Sequence, residues 1–107
     1  MVILLMTPEG KKVVVSAADR EIYGAPCDPP NFGTDLRVHK ARSGRLYYYL
    51  YNWSLWNSVG SSYKLLSEEQ AKNFVLLKLG GSQWERDGVH EDAARALWGE
   101  DFLAEDA

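Results

Sequence analysis

The sequence predicts an α+β fold: an antiparallel β-meander packed by one main helix and a short C-terminal helix. Three observations carry that expectation. Short apolar runs separated by Gly, Pro and Ser turns succeed one another as far as Leu66, a helical apolar spacing begins at Ser67, and an alanine-rich segment fronted by acids fills residues 90–98.

The elements follow in order. Residues 2–6 and 12–15 are apolar runs joined by Thr7-Pro8-Glu9-Gly10, where Pro pre-sets φ and Gly accepts φ > 0, so they form a first hairpin. Residues 16–23 read as a short helix or a turn, with Ser16 as N-cap, Asp19 in the first turn and Gly24 as the stop. Pro26, Pro29, Pro30 and Gly33 make the next stretch a loop. Residues 36–41 alternate apolar and polar, and Arg42-Ser43-Gly44 turns the chain into the aromatic run of residues 45–56 to make a second hairpin. After a Ser- and Gly-rich turn, residues 63–66 add a further strand.

Ser67 with Gln70 forms a capping box, and Glu68 and Glu69 favour the positive end of the helix dipole. Ala71, Phe74, Val75 and Leu79 lie along one stripe flanked by Leu76 and Leu77, with Phe74 expected deepest, and Gly80-Gly81 ends the helix. In the second helix Ala93 or Ala94, Leu97 and Trp98 face inward before Gly99. Residues 100–107 read as an acidic tail, either docked through Phe102 and Leu103 or mobile.

A chain of 107 residues with 46% hydrophobic and 25% charged composition is expected to form a single domain, residues 1–107, with one core. The lone Cys27 permits no internal disulfide, the first residues lack the basic flank and length of a signal peptide, and no stretch is long enough to span a membrane. A cytoplasmic location is the expectation. The formal net charge of −3 hides a segregation: Glu85, Asp87, Glu91, Asp92, Glu100, Asp101, Glu105 and Asp106 crowd the C-terminal quarter, whereas Arg37, Lys40, Arg42, Arg45 and Lys64 surround the aromatic strand.

That strand is the most informative segment. On a β-strand, Tyr47, Tyr49, Tyr51 and Trp53 share one face, and Leu46, Tyr48 and Leu50 the other. One face is core, and the other is covered by a helix or left as an aromatic platform. Flat rings rimmed by Arg42 and Arg45 can stack unpaired bases and neutralise phosphates, or anchor a protein partner. Equally, cross-strand aromatic pairs are an ordinary way to stabilise a small sheet.

Little points to catalysis. Cys27, His39 and His90 stand in no recognisable nucleophile or metal motif, although Cys27 and His39 both flank the second hairpin, and Gly80-Gly81-Ser82 follows a helix where a phosphate loop would follow a strand. No cofactor or metal is expected.

The order Tyr49-Leu50-Tyr51, Trp53-Ser54-Leu55-Trp56, a Gly/Ser turn, Tyr63-Lys64-Leu65-Leu66 and Ser67-Glu68-Glu69-Gln70-Ala71 resembles small uncharacterised bacterial proteins in which an aromatic hairpin precedes a Ser-capped helix. The resemblance implies no activity and transfers no functional residue.

The reading is therefore a non-enzymatic, macromolecule-binding module. Its partner is expected to be a protein, met through an aromatic sheet face comprising Arg42, Arg45, Tyr47, Tyr49, Tyr51, Trp53 and Trp56. Two alternatives stand beside it: a single-stranded nucleic-acid binder using the same hairpin, and a small acidic inhibitor whose C-terminal carboxylates imitate nucleic acid to block a phage or host defence system.

Overall fold

Two hairpin turns share one hydrogen-bond pattern. The Thr7 N–H donates to the Lys11 carbonyl at 2.7 Å and the Gly10 N–H to the Thr7 carbonyl at 2.9 Å, while Ala41 donates to Arg45 and Gly44 to Ala41, both at 2.9 Å. Each is a three-residue loop closed by a glycine in the left-handed region, Gly10 at φ 84° and Gly44 at φ 91°, where a Cβ would be strained.

The computed structural model describes residues 3–7, 9–15, 18–24, 32–54 and 62–103. The first turn joins β1 (Ile3–Met6) to β2 (Lys12–Val15) in a two-stranded sheet. The second joins β4 (Phe32–Lys40) to β5 (Leu46–Ser54) within a four-stranded antiparallel sheet, β3-β4-β5-β6, whose outer strands are β3 (Arg20–Tyr23) and β6 (Ser62–Leu66). The expected meander is present.

The helix considered for residues 16–23 is not formed over its described part: Arg20–Tyr23 is the edge strand β3, pairing Arg20 with Val38, Glu21 with Arg37 and Tyr23 with Leu36. A register shift between Glu21 and Tyr23 turns Ile22 and Tyr23 both inward, at 0% and 3% exposure. A segment this short gains little from helical hydrogen bonds alone, whereas pairing with β4 satisfies its backbone and buries two large side chains. Ser16, expected as the cap, lies outside the described residues.

Each face of the four-stranded sheet carries its own apolar cluster. On one, Ile22, Tyr23, Leu36, Val38 and Tyr48 pack with Ala71, Val75, Val89 and Ala94 from the helical side. On the other, Val13, Val15 and Leu5 of the first hairpin lie over Tyr49, with Tyr47, Tyr51, Tyr63 and Leu65 around it. The sheet is thus the middle of three layers, helices beneath and a hairpin above.

Helix α1 (Glu68–Leu79) starts where expected: Gln70 N–H donates to Ser67 Oγ at 3.1 Å and Ser67 N–H to Gln70 Oε1 at 2.9 Å. Its deepest residues are Ala71 and Val75, both fully buried, and not Phe74. Small side chains let the helix approach the sheet closely, and Phe74 is displaced to the flank, half-buried, edge-on to Tyr23 with ring centres 5.4 Å apart. Leu76 and Leu77 are exposed.

A second capping box, Ser82 with Glu85, opens the short α2 (Gln83–Asp87). That helix was not expected, although Ser82-Gln83-Trp84-Glu85 carries the same S-x-x-E pattern as its signal. Helix α3 (Glu91–Trp98) buries both Ala93 and Ala94. Trp98 lies 5.7 Å from Tyr48, ring to ring, and its Nε1–H donates to the Tyr48 hydroxyl at 3.2 Å. Phe102, on the 3-10 helix Glu100–Leu103, packs 4.8 Å from Trp98, so the first part of the acidic tail is docked, while residues 104–107 lie outside the described residues. No described helix is long and apolar enough to cross a membrane.

Candidate interaction surface

The aromatic strand is positioned by its pairing on both sides, with Tyr49 opposite Arg37 on β4 and Leu65 on β6. That register lines up Asp35, Arg37 and His39 beside Tyr51, Tyr49 and Tyr47 on the face covered by the first hairpin. Tyr49 is fully buried. Tyr51 stacks on Tyr63 at 4.8 Å and 19° while the Arg37 guanidinium sits 4.8 Å over its ring. Trp53 donates Nε1–H to Asp35 Oδ1 at 3.3 Å, and Asp35 Oδ2 takes the Arg37 guanidinium at 3.4 Å.

Of the residues expected to make an aromatic platform, Tyr49 is therefore core, and Tyr47, Tyr51 and Trp53 are half-buried; Trp56 lies outside the described residues. What covers this face is the first hairpin, not a helix. The expected basic rim divides. Arg45 lies 5.0 Å over the Tyr47 ring and 4.0 Å from Glu9, whereas Arg42 is exposed at the turn.

A polar chain crosses the covered face. Tyr49 donates its hydroxyl to Asp19 Oδ2 at 2.8 Å, and the other oxygen of that carboxylate lies 2.9 Å from His39 Nδ1. Because an ionised carboxylate only accepts, His39 carries its proton on Nδ1 and leaves Nε2 as the second ring nitrogen. Burial, and after it the Asp19 carboxylate, push the Tyr49 hydroxyl far above the ordinary tyrosine range. The chain ties the segment before β3 to β4 and β5. Cys27, the other flank of the second hairpin, lies outside the described residues.

With its inner face spent on Tyr49, the hairpin presents its outer face to solvent. In the register of β1 with β2, Leu4 stands opposite Val14 and Met6 opposite Lys12. Leu4, Met6 and Val14 are 57%, 64% and 44% exposed, an apolar strip that no described element covers. No pattern in the sequence marks it, because residues 3–6 and 13–15 are apolar at every position and do not say which face points inward.

The acidic C-terminal region is largely self-paired where it is described. Glu91, Asp92 and Glu100 converge on Arg95, at 3.7, 3.6 and 3.4 Å. Compared with family models, curated proteins and solved structures, the chain matches none.

Proposed function

We propose that the protein is a non-catalytic binding module that docks a partner protein on the outer face of its first hairpin. The observation that supports this is the exposed strip of Leu4, Met6 and Val14, three large apolar side chains on a face that no described element covers. Soluble domains seldom leave such a contiguous group uncovered without a partner to take it. Lys12 shares this face beside Met6, so the matching surface has an apolar centre and an acidic rim. The half-buried rings beneath stiffen the hairpin, so a partner would meet a pre-organised surface.

The test places a photo-crosslinking residue at Leu4 or Val14 of the full chain and, as control, at Lys72 on α1. The expected result is a discrete protein adduct from the hairpin positions in native cells, insensitive to nuclease, absent from position 72 and abolished by Met6→Asp in a chain whose near-ultraviolet circular dichroism is unchanged. Equal adducts from both faces, or none from either, would sink the reading.

A further inference from the structure

One cleft of this molecule is lined by cations and no acid. It lies between β2 and the β4–β5 turn, encloses about 560 Å³, and brings together Lys11, Lys12, His39, Lys40, Arg42 and Tyr47 with apolar walls from Val13, Val14 and Ala41. The two larger clefts each carry carboxylates, Glu21, Asp87, Glu91 and Asp92 in one and Glu9 and Glu68 in the other. Elsewhere, five cations are held by acids: Arg37 by Asp35, Arg45 by Glu9, Lys72 by Glu68, Lys78 by Glu85 and Arg95 by three partners. Arg20 and Arg86, with no described carboxylate within 4.0 Å, share the first of those clefts with its four acids, and Lys64 lines none of the three. Among the described residues, Lys11, Lys12, Lys40 and Arg42 have no carboxylate within 4.0 Å, although Glu9 is near enough for Lys11 to help keep its carboxyl ionised.

Four cations around one concavity repel one another, and Glu9, beside Lys11, offsets only part of that repulsion. An anion with several charges spaced along it would offset the rest. The walls say which kind. A purely ionic ligand would gain nothing from Val13, Val14 and the Tyr47 ring, whereas an unstacked base is flat and apolar on its faces, and a cleft of this size is in the range that holds one ligand unit. A duplex keeps its bases stacked inside and would offer this wall nothing.

We propose that this cleft binds single-stranded nucleic acid, one base lodged against Val14 and the Tyr47 ring and the neighbouring phosphates on Lys11, Lys12, Lys40 and Arg42. His39 contributes from the floor, its ring fixed in orientation by the bond from Nδ1 to Asp19. The site shares Lys12 and Val14 with the protein-docking strip, whereas Lys40 and Arg42 belong to the second hairpin, so substitutions at Lys40 and Arg42 read this site without altering the strip.

Fluorescence anisotropy of labelled ten-nucleotide poly-dT and poly-rU with the full chain reads the site directly. With four phosphates neutralised, affinity is expected to fall about 50-fold between about 50 and 200 mM salt, and in Lys11→Ala/Lys40→Ala/Arg42→Ala only about 3-fold over the same range. Lys72→Ala, on α1, is expected to match the parent, and Lys40→Gln or Arg42→Gln alone to give intermediate slopes. These four positions are solvent-facing except for half-buried Lys72, and circular dichroism of each variant serves as the check that it is folded. Binding of either oligonucleotide with this pattern supports the site and the pair of probes separates DNA from RNA. Absence of binding at low salt, a slope unchanged in the triple variant, a duplex bound as tightly as a single strand, or equal displacement by polyglutamate would overturn it.

Discussion

Tyr49 and Asp19, 30 residues apart in sequence, are joined by a 2.8 Å hydrogen bond beneath the first hairpin. The bond fastens the turn before β3 to β5, and it does so from the most buried of the described rings of the aromatic run.

Tyr49→Phe is expected to lower stability by about 1.5–3 kcal/mol, the range for a hydrogen bond to a charged group, because the ring stays and only the donor leaves. The same residue predicts alkaline sensitivity. Its folded pKa is raised above the unfolded value by burial and by Asp19, so its contribution is complete below the unfolded value near about pH 10 and is lost as pH rises beyond it. Urea midpoints measured from about pH 9 to about pH 11 should fall less steeply in Tyr49→Phe than in the parent. Tyr23, Tyr48 and Tyr63, also raised by burial, keep some slope in the variant. Parallel curves would show that the hydroxyl is not held as described.

Removing the α1 cap tests the clearest local signal. Ser67→Ala deletes the acceptor of the Gln70 N–H and is expected to cost about 0.5–2 kcal/mol in urea denaturation. Ser67→Asp, which restores an acceptor and places a negative charge at the helix N-terminus, should recover most of that loss.

Burial separates two leucines that composition treats alike. Leu36, fully buried in the sheet centre, should lose about 2–5 kcal/mol on replacement by Ala. Leu77, 76% exposed on α1, should change by less than about 0.5 kcal/mol under the same substitution. Similar midpoints for the two variants would contradict the packing on this face.

Gly88 is required by closeness and not by its own backbone angle. It links β3 to the helices by accepting the Gly24 N–H at 2.9 Å, and a Cβ there would stand 2.6 Å from Tyr23 Cε1 and 2.7 Å from the Gly24 carbonyl. Gly88→Ala must therefore move Tyr23 or part the chain from β3. The expected result is a lower melting temperature than for Gly10→Ala, whose strain is confined to an open turn with nothing within 4 Å.

Local stereochemistry determined much of this protein from its sequence. Period-two alternation told which rings of residues 47–53 share a face, Gly10 and Gly44 marked two hairpin turns, and Ser67 with Gln70 set the start of the main helix, because each depends on residues a few positions apart. The strand at Arg20–Tyr23 escaped that reading because its partner, β4, arrives from beyond the proline-rich loop, and long-range pairing overrode a weak helical pattern. Phe74 yielded the deepest place on α1 because the depth of a residue depends on how near the sheet lies, which spacing along one helix does not contain. Only the tertiary structure decided which surface is free. A hairpin apolar on both faces could be laid either way up, and once Leu5, Val13 and Val15 had closed over Tyr49, the rings became support and Leu4, Met6 and Val14 were left outside.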